Sequence, residues 1–170
     1  MWIAVHVSTN ALKKPSGKGD KIEVMGRFGK VVGVCFSQKK TDPKINRGRG
    51  LLKQGHGLVG DAHAGTEKEV SLLAMESIQK LCRETGLLAG PGCFAENITT
   101  EGIDLPSLPI GSRLQIGKAK LEVIQIGKDP SQTHTYNYQG YSILPKEGVF
   151  CKVTESGQVK IGDSIKILRS

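Results

Sequence analysis

Residues 113–126 read Arg-Leu-Gln-Ile-Gly-Lys-Ala-Lys-Leu-Glu-Val-Ile-Gln-Ile. Apolar residues recur at every second position on both sides of Gly117-Lys118, the period of a strand with one buried face. A two-residue Gly-X break between such runs joins antiparallel strands in a hairpin. The stretch therefore predicts strands over 113–116 and 119–126. Working outward, the same device occurs twice: Ile110-Gly111-Ser112 leads into the first of these strands, and Ile161-Gly162-Asp163 leads into Ser164-Ile165-Lys166-Ile167-Leu168. Val149–Val153 and Gln158–Ile161 flank a turn at Glu155-Ser156-Gly157. From residue 93 onward the pattern is all β.

Upstream, residues 30–37 (KVVGVCFS) form a continuous apolar run and read as a buried strand. Residues 38–57 are polar, basic and glycine-rich, and read as one long loop, a kind of segment that is often functional. Residues 69–73 read as a short strand. Over 74–85 the period turns helical, with Met75, Ile78, Leu81 and Cys82 on one face and Gly86 as the stop. Residues 90–92 (GPG) are a turn, residues 1–10 a short strand, and 11–21 a loop. Twenty-two glycines and 5% aromatics fit many short strands joined by tight turns. The expected fold is mainly β, a compact closed or nearly closed β-barrel with one clear helix at about 74–85.

A chain of 170 residues fits one domain with its own core. With 38% hydrophobic and 24% charged residues it is not a disordered chain. No apolar run approaches the ~18 residues of a membrane span. The first ten residues lack the basic lead and cleavage site of a signal peptide, so a cytoplasmic location is expected. The net charge of +8 is uneven. Residues 1–53 carry twelve Lys and Arg against three acids, which leaves 54–170 close to neutral. Such a basic arm suits an anionic partner: a phosphorylated cofactor, an acidic protein or nucleic acid. It is equally the pattern of a solvated loop. No nucleic-acid motif is present, which counts against that last partner.

The cysteines are Cys35, Cys82, Cys93 and Cys151, and no two have C-x-x-C spacing. Cys35 lies in the apolar 30–37 run and Cys82 on the helical stripe. Cys151 is in a strand, and Cys93 is in the turn after Gly92. Three segments hold the other groups able to do chemistry. Asp61 and His63 sit two apart in GLVGDAHAG, where a carboxylate orients an imidazole or forms a turn. Glu96-Asn97 precede Ile98-Thr99-Thr100, placed to clamp a polar ligand or to satisfy backbone groups. Lys128 follows the strand 119–126 and opens a polar loop with His134 and tyrosines 136, 138 and 141, a composition that suits a binding mouth.

Six blocks, GHGLVGDAHAG (55–65), EVSLLAMESI (69–78), PGCFAENITTEGIDL (91–105), LPIGSRLQIG (108–117), LEVIQIGK (121–128) and LPKEGVFCKV (144–153), together resemble the MOSC domain. This is the C-terminal domain of molybdenum cofactor sulfurases, also known as a stand-alone bacterial protein. The resemblance implies a domain over 29–170 after an N-terminal extension, 1–28, with its basic loop. It implies a barrel whose mouth binds the molybdenum cofactor (molybdopterin), and a role as sulfur carrier. A cysteine would accept sulfur from a pyridoxal-phosphate cysteine desulfurase and pass it to the cofactor or to a molybdoenzyme. Only a thiolate performs that attack. The family often reads G-K-E-C-H where this chain has Gly127-Lys128-Asp129-Pro130-Ser131, so proline stands at the cysteine position. The family's His-Arg pair before V-S-L-L is replaced by Glu67-Lys68. Cys93 and Cys151 are the alternative thiols. Asp61, His63, Glu96, Asn97, Arg113, Lys128 and His134 are the expected cofactor-binding residues, with Lys128 and Arg113 facing the phosphate. The other expectations are a non-catalytic binding or chaperone module and a basic-arm binder of acidic protein or nucleic acid.

Overall fold

The computed structural model describes residues 28–131 and 136–169. The strands are β1 (Phe28–Phe36), β2 (Ile45–Asn46), β3 (Arg49–Lys53), β4 (Gly57–Leu58), β5 (Val70–Ala74), β6 (Ile98–Glu101), β7 (Arg113–Ile116), β8 (Ala119–Ile126), β9 (Val149–Glu155), β10 (Gly157–Lys160) and β11 (Ser164–Leu168). The helices are α1 (Met75–Thr85) and the short α2 (Leu144–Glu147). Seven strands form a ring in the order β11-β7-β8-β9-β5-β6-β1, and β1 pairs with β11 to close it. The β5–β6 pairing is parallel and the other ring pairings are antiparallel. Closure leaves no open edge in the ring.

The 113–126 hairpin forms as expected, with Ile116 opposite Ala119. Gly117 has φ +57°, the backbone that a Gly-X hairpin loop requires at its first position. A Cβ there would also run into Asp163 and the Gln158 carbonyl. The two Ile-Gly devices adopt the same backbone, Gly111 at φ +89° and Gly162 at φ +92°. The strands they launch, β7 and β11, are hydrogen-bonded to each other, Ile116 against Ile165 and Leu114 against Ile167.

Two segments differ from expectation. Residues 38–57 are not one loop: they contain β2 and β3 and reach β4. β3 pairs with β4 on one side and with β10 on the other. The β9–β10 turn therefore does not make a hairpin. It sends β10 out of the ring into a second, three-stranded sheet. The segment after residue 93 also contains a 3-10 turn (Leu105–Ser107) and α2, so it is not wholly β.

Two apolar clusters hold the chain together. The larger fills the barrel with ring residues such as Val31, Leu72, Ile98, Leu121, Val149 and Ile165, joined by Leu52, Leu58 and Val159 from the small sheet. Each fully buried side chain of this kind contributes about 1.5–3 kcal/mol. The second lies outside the ring, where Leu73, Ile78, Leu87, Phe94, Leu144 and Phe150 pack α1 and α2 onto β5 and β9. Helix α1 buries Ile78 against this cluster, and the Gly86 N–H closes its last turn on the Cys82 carbonyl. No helix among the described residues is long and apolar enough to cross a membrane.

Candidate functional site

Asp61, Glu96 and Asn97 are built into the protein rather than presented by it. The Asp61 carboxylate has no exposed surface and accepts from Lys44 Nζ at 2.8 Å. It also accepts the backbone N–H groups of Ser37 and His63, at 3.2 and 3.0 Å. Burial works to raise the Asp61 carboxyl, but neighbouring His63 and the Lys44 ammonium outweigh it and hold the group well below the usual carboxylate range. His63 Nδ1 lies buried 3.6 Å from Asp61 Oδ2, beyond hydrogen-bond reach, while the His63 side chain is 36% exposed. This histidine is the solvent-facing end of a Lys44–Asp61–His63 row.

Glu96 accepts from the Gly92 N–H (2.6 Å), the Phe94 N–H (3.2 Å) and the Thr99 hydroxyl (2.8 Å). Burial pushes its carboxyl up despite those donors. Asn97 accepts the Ser71 N–H at 3.0 Å and donates to the Cys35 carbonyl at 3.2 Å, tying β5, β6 and β1. Of the two roles open to Glu96 and Asn97, the structure gives them the satisfaction of backbone groups. Both are closed to solvent, and their polar atoms are taken up by the protein.

A different pair of residues gathers charge at the surface. The Lys68 ammonium lies 5.1 Å from the centroid of the Phe150 ring and the Lys128 ammonium 5.8 Å from it. Lys68 stands just before β5 and Lys128 just after β8, two strands that flank β9, which carries Phe150. The Lys128 backbone is fixed by its N–H to the Pro145 carbonyl at 2.7 Å, in the first turn of α2. Partial burial, and then repulsion from Lys68, push the Lys128 ammonium below the usual lysine value. Two ammonium groups thus gather around one ring. Sequence reading passed over Lys68 as a departure from the family. The signal was that a cation is kept where the family has arginine.

The four thiols divide into two kinds. Cys35 and Cys151 have no exposed surface, and burial pushes the Cys35 thiol up to about 12 and Cys151 still higher. Cys151 lies in the barrel core, so no external sulfur compound reaches it. Cys82 and Cys93 are both half-buried and line one open groove of about 670 Å³ with Arg83, Leu88 and Tyr138. The Ala89–Gly90 peptide stands between them: the Cys82 thiol donates to the Ala89 carbonyl at 3.8 Å, and the Gly90 N–H donates to Cys93 Sγ at 3.5 Å. Tyr136 donates to the Cys93 carbonyl at 2.5 Å and pins that turn to the tyrosine loop.

Other expected residues are scattered. Arg113 is exposed opposite Glu122, six residues back from Lys128 along β8, about 20 Å at strand rise. It shares no site with Lys128. His134 lies outside the described residues, as do 1–27 with the expected strand, loop and most of the extension. Pro130 sits in a turn closed by Asp129, which accepts from the Ser131 N–H and hydroxyl at 2.8 and 2.7 Å. Among the described residues no three His, Cys, Asp or Glu side chains gather to hold a metal ion.

A family model described as the MOSC domain matches residues 59–166, well over half of the chain. Among solved structures, the YuaD protein of Bacillus subtilis superposes with a TM-score of 0.65 at 20% identity, over 82% of this chain and 95% of that one. YiiM of Geobacillus stearothermophilus gives 0.64 at 18% identity, over 83% and 75%. YiiM of Escherichia coli gives 0.58 at 20% identity, over 83% and 70%. At these identities the likeness is one of fold. A search of curated proteins returns no match.

Proposed function

The chain belongs to the MOSC domain family, and on that premise we propose that it binds the molybdenum cofactor, with the molybdopterin phosphate held by Lys68 and Lys128. The observation that carries this reading is the pair of ammonium groups over Phe150. Two ammonium groups brought together suit the phosphate of an anionic cofactor. The cofactor supplies the molybdenum chemistry when bound. The protein's part is to grip the phosphate and orient the ring. Asp61 and His63 support this grip indirectly, since the loop they fix leads into Lys68.

The test is retention of the cofactor. The protein is incubated anaerobically with molybdenum cofactor and passed over a sizing column, and the protein peak is assayed for pterin fluorescence and molybdenum. Near-stoichiometric pterin that falls at least about tenfold in Lys68→Ala/Lys128→Ala supports the reading. No pterin on folded wild-type protein refutes it.

One observation favours a second activity, sulfur transfer. Cys93 is half-buried in an open groove, where its sulfur is within reach of a reactant, and the Gly90 N–H is directed at that sulfur. In that reading the Cys93 thiolate attacks the terminal sulfur of a donor persulfide. The donor's S–S bond breaks and the donor leaves as a thiolate, which gains the proton. The family makes a pyridoxal-phosphate cysteine desulfurase the donor class, in the cytoplasm, with a molybdoenzyme as acceptor. A persulfide on Cys93 in the presence of desulfurase and cysteine, lost in Cys93→Ser, supports this activity. Four inert thiols would leave a non-catalytic binding or chaperone module.

A further inference from the structure

We propose that the outer face of the three-stranded sheet is a docking surface for a protein segment that carries acidic and aliphatic side chains. This goes beyond cofactor binding and does not depend on it. The register across the sheet sorts its outward residues into rows. Lys160 stands opposite Arg49, and Gln158 stands opposite Leu51. The Val59 N–H bonds the Leu51 carbonyl and extends that second row. Lys53 lies two residues further along β3, on the same face as Arg49 and Leu51. The inward residues between them, Leu52, Leu58 and Val159, are fully buried.

Two features of this face need a partner to make sense. The first is charge. Arg49 and Lys160 are directly opposed across an antiparallel pair, where like charges destabilise. None of the outward residues in these rows is acidic, and Arg49, Lys53 and Lys160 make no ion pair among the described residues. The Asp163 carboxylate is nearby but accepts the Lys160 backbone N–H at 2.9 Å. The second feature is apolar exposure. Leu51 is 45% exposed and Val59 41%, interleaved with the cations.

An anionic partner offsets the repulsion, and the aliphatics decide which anionic partner. Single-stranded nucleic acid is held by aromatic platforms that stack on bases. The outward rows of this face offer aliphatic surface instead. A protein segment with carboxylates set among leucines or valines matches both features: charges pair across the contact, and the aliphatic row loses water. β3 alternates cation, aliphatic, cation at Arg49, Leu51 and Lys53, and so asks for the complementary alternation.

The test measures fluorescence anisotropy of the whole protein with three labelled probes: a peptide of leucines set among glutamates, poly-glutamate of equal length, and oligothymidylate. The leucine-bearing peptide should bind tightest, and its affinity should fall as salt is raised. Arg49→Glu/Lys160→Glu should weaken it at least about tenfold. Lys166→Glu, on the exposed face of β11, should change it less than about twofold. Leu51→Gln keeps every charge and should weaken the leucine-bearing peptide but not poly-glutamate. Thermal melts confirm that each variant is folded. Tighter binding of oligothymidylate, equal binding of the two peptides, or indifference to Arg49→Glu/Lys160→Glu would overturn the proposal.

Discussion

Two lysine sites on the same barrel have opposite designs. Lys44 is 3% exposed and locked on Asp61, whose remaining capacity goes to backbone N–H groups. Lys68 and Lys128 bring two ammonium groups to one buried ring, that of Phe150. The first site is closed: its polar atoms are satisfied by the protein, and its work is to hold loops. The second is the site proposed above for an anion. Polar residues near a functional region thus do one of two jobs, and burial with complete partners marks the structural one.

If this contrast is right, the largest effect comes from breaking the closed site. Asp61→Ala strands the Lys44 ammonium in the interior and should cost about 3–5 kcal/mol in denaturant unfolding. The sign with pH follows from the depressed Asp61 carboxyl. Its contribution is fully present above the unfolded value of about 3.9 and is lost as pH falls through the lower folded value. The wild type should lose stability below about pH 4, with a shallower loss in Asp61→Asn. Asn97→Ala should cost less, about 2–3 kcal/mol, because it leaves the Ser71 N–H and the Cys35 carbonyl without their partner.

The open site should respond in the reverse way. Lys68→Ala/Lys128→Ala should shift stability by less than about 1 kcal/mol while abolishing anion binding, read by calorimetry with pyrophosphate. Because Lys128 is pushed down by burial and by Lys68, its proton leaves before that of an ordinary lysine as pH rises. As pH rises, pyrophosphate binding should therefore weaken sooner than an ordinary lysine would allow, and Lys68→Ala should move Lys128's own titration, followed by NMR, to higher pH. Cys93→Ser should have the smallest effect, leaving both stability and pterin retention within error while removing any persulfide. A loss of pterin in that variant would merge the groove with the lysine site.

Legibility tracked the range of the interaction. The 113–126 hairpin, the stripe of α1 and the twin Ile-Gly devices were readable because their signals are local periodicities. β3 was hidden in a stretch scored as loop, because Gly50 interrupts its alternation and only Leu52 on it is buried. Its partner, β10, lies more than a hundred residues away, so no window around Arg49–Lys53 contains the reason that it is a strand. Glu96 and Asn97 were visible as polar residues at a strand entrance, but the Gly92, Phe94 and Ser71 donors that consume them come only from the fold. Lys68 was undervalued because one cation looks like any other until Phe150 and Lys128 arrive beside it.

The ring closes between β1 and β11, with Lys30 opposite Ser164. During synthesis the ring therefore stays open until β11 emerges. While the ribosome still holds residues up to Leu168, β1 has β6 on one side and on the other only β2, paired at Cys35 and Phe36, and β7 has β8 but not β11. Closing a loop of that length carries a large entropic cost and slows folding. The nascent chain must keep a half-built sheet from pairing with its neighbours until β11 has emerged. Loss of the last strand should consequently harm yield in the cell far more than the few side chains of β11 account for, because it removes the event that ends exposure of the sheet edge.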